Sequence, residues 1–127
     1  MGKGKVLVVD GNNIAYSASQ SGIPQVQTLR AAIRSLRNND YRPLVLVSAA
    51  LIHNVDEPDE LQAMISAGDI IQVSRGQNDD LAIIRMSQEK YADIVTNDRF
   101  LDWLDRYPWL SSRVRRYRLT PSGIILV

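Results

Sequence analysis

The chain has 127 residues, 45% of them apolar, a single histidine and no cysteine, which is the size and make-up of one domain with its own core. Without cysteine there are no disulfides or thiolate metal sites, and the lone His53 excludes histidine-rich zinc centres and any two-histidine scheme, so a metal here is held by oxygen. A formal net charge of +1 argues against a general electrostatic nucleic-acid coat, although 12 of the 15 basic residues are arginines, whose planar fork suits phosphate.

No apolar run approaches the length of a membrane span, and the opening "MGKGKVLVVD" carries charge and then a strand-like run without a signal-peptide core. A cytosolic protein is expected. "KVLVVD" is apolar and β-branched up to Asp10 and is followed by the turn residues "GNN", which reads as a buried strand feeding a loop. Pro24 marks a helix start, with Leu29, Ile33 and Leu36 spaced for one buried face and Arg30, Arg34 and Arg37 on another. "PLVLVS" is a second buried strand, "DEPDELQAMISAG" a helix with acids first and Gly68 last, and "DIIQVS" a third strand. "NDDLAIIRMSQEKYA" predicts a third helix and "DIVTND" a fourth strand of the same apolar-then-acidic form as the first. The tail "RVRRYRLTPSGIILV" is two strand-like runs around the turn signal "TPSG", hence a terminal hairpin or an added sheet edge.

Alternating helices and apolar, non-alternating strands imply a mainly parallel sheet covered on both faces, with ligands beyond the carboxyl ends of its strands. Two strands end there in a carboxylate, Asp10 and Asp98, and the helix opening on Asp79 and Asp80 starts shortly after the third strand. Helix capping accounts for Asn78, Asp79 and Asp80 but gives no reason for acids at both strand ends. Carboxylates converging in one cleft repel one another unless a cation neutralises them, and Mg2+ or Mn2+ is the hard, oxygen-seeking ion that fits. A phosphodiester substrate follows from that chemistry.

Ordered acidic motifs carry a family resemblance: "VVDGNN" with Asp10 and Asn13, the pair in "NDD", and "TNDRFLD" with Asn97, Asp98 and Asp102. Together with "SRG" (Ser74, Arg75, Gly76) and the "RVRRYRL" tail, they resemble the NYN-type, PIN-like ribonucleases. The resemblance is nearest to the endoribonuclease domain of the regnase-like proteins, in which a CCCH zinc finger lies beside it, and it covers nearly the whole chain. It implies a three-layer α/β sandwich and a Mg2+-dependent nuclease, with Mn2+ as a substitute, cutting single-stranded RNA internally through Asp10, Asp79, Asp80 and Asp98. In that scheme Asp10 binds the ion directly, and Asp80 and Asp98 bind it directly or through water. Asn13 orients the first carboxylate or a metal-bound water, and Arg75 sits where a substrate phosphate passes. The chain departs from the family in having no cysteine-rich finger, and "NDD" lacks the usual aromatic and following arginine, which bears on target selection.

Several residues keep a plainer reading. Asp79 serves equally as helix cap or site residue, and Asp102 faces the cleft or pairs with Arg99 or Arg106 in solvent. His53 reads as a surface residue. Arg113, Arg115, Arg116 and Arg118 alternate too densely for solvation alone and form a phosphate track, with Arg115 and Arg116 on substrate, or an oligomer contact. Trp103 and Trp109 read as anchors of a last helix on the core. A homodimer would bring two arginine-bearing surfaces to a long RNA. Two other functions share the acidic centre or the fold: a structure-specific nuclease acting on DNA flaps, and a catalytically silent RNA-binding module.

Overall fold

The apolar run at the start of the chain forms β1 (Lys5–Asp10), whose last four residues are buried. In the computed structural model, which describes residues 4–19 and 21–127, β1 is the middle strand of a five-stranded sheet. Its neighbours are β2 (Tyr41–Val47) and then β3 (Ile70–Gln72) on one side, and β4 (Asp93–Val95) and then β5 (Val114–Arg115) on the other. All four pairings are parallel, so the expected mainly parallel sheet is borne out.

Side chains of successive strand residues point to opposite faces, and the two faces bury separate cores. Leu7, Val9, Val45, Val47 and Val95 pack under α1 (Gly11–Ser17), α2 (Val26–Asn38) and α3 (Pro58–Ser66). Val8, Leu46 and Ile94 pack under α4 (Asp79–Lys90), together with Phe100 and Leu110. Each fully buried aliphatic side chain here stabilises the sandwich by about 1.5–3 kcal/mol before entropy is counted. The tail supplies both expected alternatives. Its first residues, β5, add a parallel edge after the short α5 (Leu110–Arg113), and β6 (Tyr117–Thr120) and β7 (Gly123–Leu126) form an antiparallel hairpin. The hairpin docks on α2, where Ser35 Oγ accepts the N–H of Ile124 at 3.0 Å.

Three local expectations change. "GNN" is the first turn of α1, with Asp10 as its cap; it is not a loop. Gly11 permits this, because a Cβ there would lie 2.6 Å from Val47 and 2.7 Å from the Leu46 carbonyl oxygen. Helix α2 starts at Val26, two residues after Pro24, where Asp56 from a distant turn accepts the Val26 N–H at 3.0 Å. The region of Trp103 and Trp109 holds a 3-10 turn (Leu101–Trp103) and the four-residue α5 rather than one last helix. Its rings still pack on the α4-side core, with Arg106 over Trp103 and Tyr107 and Arg113 over Trp109.

Candidate active site

From β1 the chain runs outward through β2 to β3, then returns by α4 to β4 on the other side of β1. The carboxyl ends of β1 and β4 therefore flank the switch point of the sheet, where open parallel sheets leave a crevice. Asp10 shares the face of Val8, and Thr96, next after β4, shares that of Ile94, so both lie on the α4 side. The first turn of α4 supplies Asp79 and Asp80 to that side.

Asp10 is buried, and both its oxygens are engaged. Oδ1 accepts the N–H of Asn13 at 3.3 Å, and Oδ2 accepts the hydroxyl of Thr96 at 2.9 Å. Thr96 Oγ1 in turn accepts the Asp98 N–H at 3.0 Å, and Asp98 Oδ1 accepts the N–H of Phe100 at 2.8 Å. Phe100 makes that tight turn with a left-handed φ of 53°. Burial pushes the Asp10 carboxyl up to about 6, the Thr96 and Asn13 hydrogen bonds pull it down, and the charges of Asp80 and Asp98 raise it further. Asp80 is raised by burial, relieved by the indole N–H of Trp103 donating to its Oδ2 at 3.2 Å, and raised again by Asp98, Asp79 and Asp102. Burial also raises Asp79.

The structure thus brings Asp10, Asp80 and Asp98 within reach of one another's charge, with Asp102 on the rim of a cavity lined also by Asp80, Asp98, Arg99 and Trp103. Asp102 makes no ion pair with Arg99 or Arg106. Asn78, not Asp79, caps α4, accepting the Leu81 N–H at 3.1 Å. Asp79 faces a neighbouring cavity shared with Ser48, His53, Ser74, Arg75 and Gln77, so two successive aspartates look into two adjoining hollows. His53, exposed as expected, lines the donor-rich one.

Arg116 donates to the carbonyl of Asn97 at 2.9 Å, one residue before Asp98. Arg115 lies elsewhere. It is in register with Val95, on the α2 face of the sheet, and its guanidinium reaches back to Asp93 at 3.7 Å, so the expected pairing of Arg115 with Arg116 on one substrate track is not what the structure holds. Three participants were not among the expected site residues: Thr96, the Trp103 indole and Tyr117, whose hydroxyl donates to Asn13 Oδ1 at 2.6 Å; Asn97, named within its motif, holds Tyr117. "TND" marked the right loop, but nothing local distinguishes a threonine that buttresses a carboxylate from one that merely ends a strand.

Among the described residues no three histidine or carboxylate side chains stand as a ready ion cage. The all-oxygen set, with one buried, one half-buried and one exposed aspartate, fits a hard cation that keeps much of its water and takes one or two carboxylates directly.

A parallel sheet with aspartates gathered at its switch point is the arrangement that the resemblance to NYN-type, PIN-like nuclease domains implies. The family described as Zc3h12a-like Ribonuclease NYN domain matches residues 3–122, and the chain belongs to that family. In fold it is similar to the crystal structure of nuclear proteinaceous RNase P 2 (PRORP2) from A. thaliana, with a TM-score of 0.75 and 21% identity over 94% of this chain and 29% of that one. A second structure, Arabidopsis thaliana nuclear protein-only RNase P 2 (PRORP2), gives a TM-score of 0.72 and 22% identity over 95% of this chain and 29% of that one. The chain thus spans less than a third of that protein, and at such identities the likeness is one of fold. Comparison with curated proteins gives no match.

Proposed function

We propose that the domain is an endoribonuclease that hydrolyses phosphodiester bonds of single-stranded RNA with Mg2+, Mn2+ substituting. The observation that carries this reading is that Asp10, Asp80 and Asp98 lie within reach of one another's charge at the switch point of a ribonuclease-family fold. Asp10, Asp80 and Asp98 would hold the ion, and Asp79 and Asp102 would add negative field from the two adjoining hollows. When bound, such an ion lowers the pKa of a water and offsets the charge of a phosphodiester under attack.

The chain's own groups have separable tasks. Thr96 and the Asn13 N–H keep Asp10 in one orientation, and the Trp103 indole does the same for Asp80. Arg75 in the donor-rich hollow and Arg116 beside Asp98 are the cations that would meet RNA phosphates on either side of the carboxylates. A homodimer belongs to the same proposal, supported by the exposed Leu119, Ile125 and Val127 of the hairpin segment.

The test is cleavage of an end-labelled, unstructured single-stranded RNA with Mg2+, Mn2+ or EDTA, beside Asp98→Asn. Internal cuts that need metal and vanish in the variant are expected. RNA that survives but shifts in mobility would replace the reading by a binding module, and RNA that neither shifts nor breaks would move the search to flap DNA. Light scattering that finds a clean monomer at working concentration would remove the dimer alone.

A further inference from the structure

We propose that Tyr117 is a positioning residue of this site: its hydroxyl fixes the side-chain amide of Asn13 so that the Asn13 NH2 group is presented to a phosphate oxygen of the RNA. The inference rests on the ribonuclease reading above.

Asn13 lies three residues after Asp10, in the first turn of α1, and gives its own N–H to Asp10. Its side-chain oxygen receives two hydrogens, the Asn97 N–H at 3.1 Å and the Tyr117 O–H at 2.6 Å. A backbone N–H can only donate, so the amide atom turned towards it is the oxygen, and the orientation follows from chemistry. The NH2 is left pointing away from both donors. Among the described residues it meets no acceptor, and it is not a buried unpartnered group, so it is open to a partner from outside the chain. Asp10 already takes one hydrogen on each oxygen. A donor without a partner, next to carboxylates that when ionised can only accept, adds to Arg75 and Arg116 a neutral hydrogen-bond donor for a phosphate oxygen.

Tyr117 is placed to do this rigidly. Its ring is buried in the α2-side core, and its backbone is held at both polar atoms by Asn97, whose Oδ1 accepts the Tyr117 N–H and whose Nδ2 donates to the Tyr117 carbonyl, each at 3.1 Å. Asn13, Asn97 and Tyr117 thereby close a ring of four hydrogen bonds among α1, the loop after β4, and β6. Burial raises the phenol above its ordinary pKa, a hydrogen bond with Ser17 pulls it down and the Asp10 charge raises it, so on balance the hydroxyl keeps its proton and remains a donor.

The alternative is a staple that merely holds the hairpin. The test uses the full chain, Tyr117→Phe, Asn13→Ala and the double variant, with kcat and KM on the single-stranded RNA in Mg2+ and a thermal melt of each protein. Tyr117→Phe keeps the ring and deletes only the hydroxyl. A positioning role predicts a fall of about tenfold in kcat with KM within about twofold, because the interaction matters in the transition state. It also predicts no further fall when Tyr117→Phe is added to Asn13→Ala. A kcat that is unchanged, one that recovers on cooling well below the melt, or additive losses in the double variant would each overturn the inference while RNA cutting stands. A wild-type protein that cuts no RNA overturns the ribonuclease reading, and the inference with it.

Discussion

Thr96 donates its hydroxyl proton to Asp10 while the same oxygen receives the Asp98 backbone N–H, so one fully buried side chain couples two carboxylates that approach from strands β1 and β4. With the Asp98 N–H donating to that oxygen, the hydroxyl proton is directed to the acceptor it faces, Asp10 Oδ2 at 2.9 Å. The Asp10 rotamer and the position of the Asp98 loop are therefore set together.

Thr96→Val keeps the shape and deletes both bonds. The unfolding free energy should drop by about 1–3 kcal/mol, the usual cost of leaving buried polar groups unpaired. The Thr96 bond lowers the Asp10 pKa, so the acid limb of the cleavage profile should move to higher pH. A pH–rate profile and a denaturant melt check the two effects, and a variant with the wild-type acid limb would contradict the coupling.

Asp10 is itself a stability cost. Its folded pKa of about 6 lies above the ordinary 3.8, so the folded chain holds a proton the unfolded one has lost, and stability falls as pH rises from about 4 through 6. Ionising it in the fold costs about 3 kcal/mol at neutral pH. Asp10→Asn should therefore be inactive yet more stable than wild type in EDTA at pH 7.5, by about 1–2 kcal/mol after the weak Asn13 bond is lost. The gap should close towards pH 4. Mg2+ should raise the Tm of the wild type and leave that of the variant unchanged, as melts across pH with and without the ion would show.

The same titration makes activity metal-linked. With limiting Mg2+ the rate should rise through a midpoint near 6, where Asp10 ionises. More Mg2+ favours the ionised form and should shift that midpoint to lower pH. A midpoint indifferent to ion concentration would mean that Asp10 does not face the metal.

Arg75 and Arg115 should part company. Arg75 lines the hollow beside Asp79, whereas Arg115 is engaged with Asp93 on the other face. Arg75→Ala should raise KM for RNA by about tenfold with kcat little changed, the pattern of lost uniform binding. Arg115→Ala should leave both constants near wild type. Steady-state kinetics on one RNA would decide it.

What the sequence conveyed follows from the range of each interaction. Strands buried on both faces are apolar without alternation, so "KVLVV" and "PLVLV" announce a parallel sheet by themselves, and strand-end acids then mark the functional edge. "GNN" misleads because glycine and asparagine belong to turns, yet here Asp10 caps a helix and Gly11 is small because β2 packs against it. Arg115 and Arg116 look equivalent as neighbours, but strand alternation sends them to different sides. Thr96 and Tyr117 were illegible for another reason: their partners lie 86 and 104 residues away in the chain, and no local pattern encodes such a pairing.

That long reach has a consequence for how the protein comes to be. Synthesis proceeds from the amino terminus, so Asp10 and Asn13 leave the ribosome long before Thr96, Asp98 and Tyr117 exist to orient them. A half-made chain carries the first carboxylate but not the groups that aim it. The site is thus completed only once Thr96, Asp98 and Tyr117 have been made and packed against β1 and α1.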